Sequence, residues 1–159
     1  MIPRTVLIAV EPFGEGLTGP GSPVSGRLRH PLSAERAGGA IGRGVRAGDP
    51  TLEVEVCPIE HAARGDVRKL LEALDFDRRM RAARAVVVGG AHLDERTLLG
   101  SATFEIATRA RQAGVPAYAV TACNDLNLFD ARILDLQVIL QAHDTRSLRR
   151  AGERLAGLV

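Results

Sequence analysis

The chain has 159 residues, 45% of them hydrophobic and 25% charged, and a formal net charge of +2. A chain of this length and mix folds as one globular domain, burying about 68–70% of its unfolded surface without help from disulfides or metals. The charge is too small to argue for nucleic acid, Tyr118 and four Phe offer no stacking platform, and no apolar run approaches the roughly 18 residues that would cross a membrane.

In chain order, Thr5–Val10 is a continuous apolar run, the pattern of a strand covered on both faces. Residues 11–31 are rich in Gly, Pro and Ser and predict a long turn-forming loop, unusual for a compact domain and either functional or mobile. Ser33 is placed to cap a helix running to about residue 47, with Glu35 in its first turn. Gly38, Gly39, Gly42 and Gly44 lower that helix's propensity and are tolerable if it packs closely on a sheet. Gly48, Asp49 and Pro50 form a turn, and residues 52–57 alternate as a second strand.

Val67, Leu70, Leu71 and Leu74 recur at helical spacing and predict a helix over 66–83. A third strand over 85–88 is expected to end at Gly89 and Gly90, followed by a helix over 101–113 stopped by Gly114. Residues 116–121 and 133–140 read as the fourth and fifth strands. Residues 147–158 read as a terminal helix capped by Thr145.

Strands alternating with helices predict an α/β fold: a three-layer α/β/α sandwich around a Rossmann-like, mostly parallel sheet of about five strands, in a single domain spanning 1–159. Such sheets take ligands beyond the carboxyl ends of their strands, where the strand order reverses. The loops 11–31, 58–65, 89–100 and 122–128 are therefore where chemistry is expected. The N-terminal stretch is too short for a signal peptide, and Cys57 and Cys123 form no CxxC, which fits reduced thiols in a cytoplasmic protein.

In the loop from Gly89, Asp94 and Thr97 are placed to accept backbone N–H groups as local caps; Asp94 reads either as a turn residue or as a carboxylate aimed at a metal or a hydroxyl. Cys57, His61, Cys123 and Asp125 fall at or just beyond strand ends, and a thiol beside an imidazole can act as nucleophile or metal ligand. Their spacing matches no zinc pattern, so no metal ligands are assigned. The glycines near 14–26 form no P-loop, because no G-K-S/T follows. Arg29, His61, Arg64 and His92 read either as the lining of a small-anion site or as solvated surface groups.

Four stretches resemble the class I glycerate kinases, ATP-dependent enzymes that phosphorylate glycerate. Their third-strand loop has the form T-G-E-G-x-L-D-x-Q-T/S-x-x-G-K, against Val88-Gly89-Gly90-Ala91-His92-Leu93-Asp94-Glu95-Arg96-Thr97-Leu98-Leu99-Gly100-Ser101 here. Their following G-V-P-V-I-A-L-A-G is similar to Gly114-Val115-Pro116-Ala117-Tyr118-Ala119-Val120-Thr121-Ala122. Upstream, Leu32-Ser33-Ala34-Glu35 and Ala40-Ile41-Gly42-Arg43-Gly44 resemble the family's first helix, and Pro58 to Asp66 falls on its P-x-A-D-G-G-E-G-T loop.

The departures bear on function. The resemblance implies acids where His61 and Arg64 stand, a glutamate at Gly90, and a lysine at Ser101; a further family lysine aligns with Arg29 only across a long insertion. The chain is also less than half the family's usual length, and the second domain expected over the cleft does not follow Leu74. Asp94 is the surviving ionisable group and the one catalytic candidate. Glu11, Arg29, His61, Arg64, Gly89, Gly90, His92, Thr97, Ser101 and Asn124 are the ligand-binding candidates.

The resemblance thus implies a kinase-like domain that has lost phosphoryl transfer and binds a small anion or a protein partner. The alternatives are an active kinase, with ATP and Mg2+, completed by another subunit or a homodimer, and a structural or assembly module.

Overall fold

β1 (Thr5–Val10) carries the longest unbroken burial in the N-terminal half, and its alternate residues feed two separate cores. The computed structural model describes residues 2–13, 31–60, 66–95 and 100–159. Beside β1 stand β2 (Glu53–Val56), β3 (Ala85–Leu93), β4 (Ala117–Asn124) and β5 (Leu136–Gln141). All pair in parallel, in the order β2-β1-β3-β4-β5. Among the described residues there are helices α1 (Ala34–Gly48), α2 (Val67–Ala73), α3 (Phe76–Arg81), α4 (Ala102–Ala113), α5 (Leu128–Ile133) and α6 (Thr145–Ala156).

On one face, Val6, Ile8 and Val10 pack with Ile41 and Val45 of α1 and with Leu148 and Leu155 of α6. On the other, Leu7 and Ala9 pack with Leu71 of α2, Phe76 and Met80 of α3, and Ile106 of α4. The period-two alternation of a strand thus supplies both cores, and the three-layer α/β/α sandwich expected from the sequence is the fold. Each large apolar side chain buried this way contributes about 1.5–3 kcal/mol.

The glycines of α1 have two packing jobs. A Cβ on Gly38 or Gly42 would lie 2.7 Å from Val56 Cγ1 or 2.9 Å from Val54 Cγ1, so these positions press the helix onto β2. A Cβ on Gly44 would fall 1.9 Å from the Arg149 carbonyl oxygen, and one on Gly152 of α6 would fall 2.1 Å from that of Ile41. The backbones of α1 and α6 therefore touch, which only glycine allows at these two points.

Several expectations need correction. The helix expected over 66–83 divides at Asp75, which adopts a left-handed conformation (φ 50, ψ 40) that Asp tolerates better than most residues. The third strand does not end at Gly89 and Gly90 but runs on to Leu93. Gly89 is there because a Cβ would lie 1.8 Å from the Val120 carbonyl oxygen of β4. The fifth strand begins at Leu136, because Ile133 closes α5 and the left-handed Asp135 turns the chain. Asp144, rather than Thr145, caps α6, in a capping box with Ser147. The caps read at Ser33 and the stop at Gly114 (φ 69) are observed as expected.

Candidate functional site

Strand order reverses between β1 and β3, so the crevice of this sheet opens outside their carboxyl ends. Hydrogen bonding carries the ladders past the strands into that region. Glu11 N–H donates to the Gly89 carbonyl (2.8 Å), Ile59 N–H to that of Val10 (2.9 Å), and Asp125 N–H to that of Leu93 (2.8 Å). The strand-end segments are thus fixed extensions of the sheet. The expected loop 11–31 is closed at its base by an antiparallel bridge between Phe13 and Leu32, with Phe13 fully buried. Its residues 14–30 lie outside the described residues, as do 61–65 and 96–99.

Glu11 stands over Gly90: a Cβ there would be 3.2 Å from Glu11 Cβ and 3.5 Å from its Oε2. A side chain at Gly90 would press on Glu11, which would have to give by a few tenths of an ångström. The buried Thr121 hydroxyl shares its proton between the carbonyl oxygens of Gly90 and Cys123, 3.0 Å from each, locking the ends of β3 and β4 together. Gly89 serves the β3–β4 packing described above.

His92 and Cys123 are register partners across β3 and β4. Asp125 turns back over them, with Oδ2 3.4 Å from His92 Nε2 and 3.2 Å from Cys123 Sγ. One ligand atom from each of the three lies within 4.8 Å of the others. Partial burial pushes the Cys123 thiol above its ordinary pKa; its hydrogen bond to Asp125 and the charges of Asp125 and Asp94 push the same way. Asn124, a binding candidate, turns its Oδ1 to the Leu126 N–H (3.2 Å), a local turn contact.

Ser101, where the resemblance implies a lysine, is the N-cap of α4, its hydroxyl accepting from Phe104 N–H at 3.1 Å. Asp94 ends the β3 extension close enough to influence Cys123. Arg29, His61, Arg64 and Thr97 lie outside the described residues.

The thiol group weighed from sequence divides. Cys57 is 1% exposed in the core beside β2, where Arg79 Nη1 donates to its sulfur at 3.2 Å and burial raises its pKa. Two strands separate it from Cys123. The imidazole that does meet Cys123 is His92, a pairing that strand register creates and that no sequence spacing displays.

Among the described residues, the strand-end segments 10–13, 57–60, 89–95 and 121–127 contain Glu11, Glu60, Asp94, Glu95 and Asp125 together with His92, while Arg27, Arg29, Arg64 and Arg96 of the same loops lie outside the described residues. Next to these segments α5, capped by Asn127 Oδ1 accepting from Asp130 N–H (2.8 Å), buries none of its residues. It presents Leu128, Phe129 and Ile133 at 83%, 71% and 45% exposure.

Compared with known proteins, residues 59–155 match the glycerate kinase family. No curated protein matches the chain.

Proposed function

With more than half of its length matched, the chain belongs to the glycerate kinase family, and from that premise we propose that it is a member without phosphoryl transfer, working as a protein-binding module at its strand-end mouth. The observation that carries this reading is α5, which buries none of its residues and presents Leu128, Phe129 and Ile133 beside the strand ends. Phosphoryl transfer is largely positioning and charge neutralisation, with metal ions and a lysine or arginine clamping the phosphates. Here Ser101, at the position where the resemblance implies a lysine, is spent as the cap of α4. Removing even one clamp donor costs about 100–1000-fold in rate.

The exposed Leu128, Phe129 and Ile133 favour a protein partner over a bare anion: a segment combining apolar and basic side chains would complement them and the neighbouring carboxylates of Glu95 and Asp125. Large apolar side chains at such exposure, edged by polar groups, are the usual mark of an interaction surface.

Selection of a random-peptide library on the immobilised protein tests this. Peptides enriched in Arg or Lys together with aromatic or aliphatic residues are expected, and Phe129→Asp is expected to abolish the enrichment. Because Phe129 is exposed, that variant should stay within about 0.5 kcal/mol of the parent in stability. Enrichment of acidic peptides, enrichment indifferent to Phe129→Asp, or none at all would each count against the reading.

A further inference from the structure

Beyond that reading, and independent of it, the geometry points to a transition-metal site formed by His92, Cys123 and Asp125, of the Zn2+ class and with one coordination position left open. Three observations support it. The first is placement. His92 and Cys123 are fixed on adjacent strands by β3–β4 register, and the Asp125 backbone is fixed by its bond to Leu93. Their approach is set by the sheet rather than by long mobile side chains.

The second is distance. With bonds of about 2.0 Å to nitrogen, 2.1 Å to oxygen and 2.3 Å to sulfur, a tetrahedral zinc ion separates its N and O ligands by about 3.4 Å and its S and O ligands by about 3.6 Å. His92 Nε2 and Asp125 Oδ2 are 3.4 Å apart, and Cys123 Sγ and Asp125 Oδ2 are 3.2 Å apart. The first edge already fits. The second must open by a few tenths of an ångström, within reach of the exposed Asp125 side chain.

The third is ligand chemistry. An imidazole nitrogen, a thiolate and a carboxylate oxygen together select zinc or cobalt over magnesium, which takes oxygen ligands in an octahedral arrangement. Binding replaces the S–H bond of Cys123 with an S–metal bond and releases its proton to solvent. Three protein ligands leave the fourth tetrahedral position for water or a small ligand donor.

The test is titration of the reduced, metal-free full chain with Co2+, read by absorption. One equivalent is expected to bind with an intense thiolate-to-cobalt charge-transfer band, and Zn2+ is expected to displace it. Cys123→Ser should remove the band, while Cys57→Ser should keep it. His92→Gln and Asp125→Asn should each weaken Co2+ binding at least about tenfold, with circular dichroism showing that each variant is folded. No charge-transfer band with excess Co2+, a band that survives Cys123→Ser, or affinity unchanged in both His92→Gln and Asp125→Asn would overturn the site. Should Cys123→Ser fail to fold, those last two variants decide the matter.

Discussion

Gly152 and Gly39 carry the same side chain and face opposite consequences. A Cβ at Gly152 would fall 2.1 Å from the Ile41 carbonyl oxygen, whereas one at Gly39 would meet only the far end of Arg43 at 3.5 Å. Gly152→Ala should therefore force α1 and α6 apart and cost about 1–3 kcal/mol. Gly39→Ala should gain about 0.5–1 kcal/mol from helix propensity. Denaturant unfolding of the two variants checks both signs. The thiols divide similarly. In the Cys123→Ser variant the remaining Cys57, buried and raised in pKa by that burial, should react with a disulfide reagent at least about tenfold more slowly than Cys123 does in Cys57→Ser; equal rates would contradict the burial. At this scale the sequence announced the groups whose partners are local, such as the Ser33 cap and the Gly114 stop. It could not announce that Gly90 lies against Glu11, or that His92 meets Cys123, because both contacts are made across strands.

Among the elements, boundaries written in nearby residues were readable and those set by tertiary contacts were not. Two consecutive glycines look like a turn, yet β3 continues through them because β4 approaches too closely for a side chain at Gly89. The helical spacing of Val67 to Leu74 was real, but nothing in that periodicity foretold the left-handed Asp75 that separates α2 from α3. At α6, Asp144 outcompetes Thr145 as cap because its carboxylate accepts from Ser147 N–H (2.7 Å) while Ser147 Oγ accepts from Asp144 N–H (3.0 Å). Asp144→Ala should cost about 1 kcal/mol, and Asp144→Asn little. Those bonds to Ser147 hold the Asp144 pKa below the ordinary carboxylate value. Its charged cap therefore stabilises the fold above the unfolded pKa, and that stability is lost as pH falls through the lower folded pKa. Asp144→Asn should flatten this part of the acid limb in thermal melts recorded from pH 6 down to about pH 2; an unchanged limb would mean that other carboxylates dominate it.

The whole molecule is a doubly wound parallel sheet whose crevice is legible in the sequence, because alternation of strands and helices fixes where strand ends collect. What the linear sequence hid was the exposed apolar face of α5 beside that crevice, because nothing in the spacing of Leu128, Phe129 and Ile133 shows that they are left uncovered. On the function proposed above, this member of the glycerate kinase family binds without transferring a phosphoryl group. Incubating the full chain with ATP, Mg2+ and D-glycerate, and following ADP and phosphoglycerate, tests that directly. No product above the protein-free control is expected; turnover on the order of 1 s⁻¹, the low end for kinases, would show that phosphoryl transfer is retained.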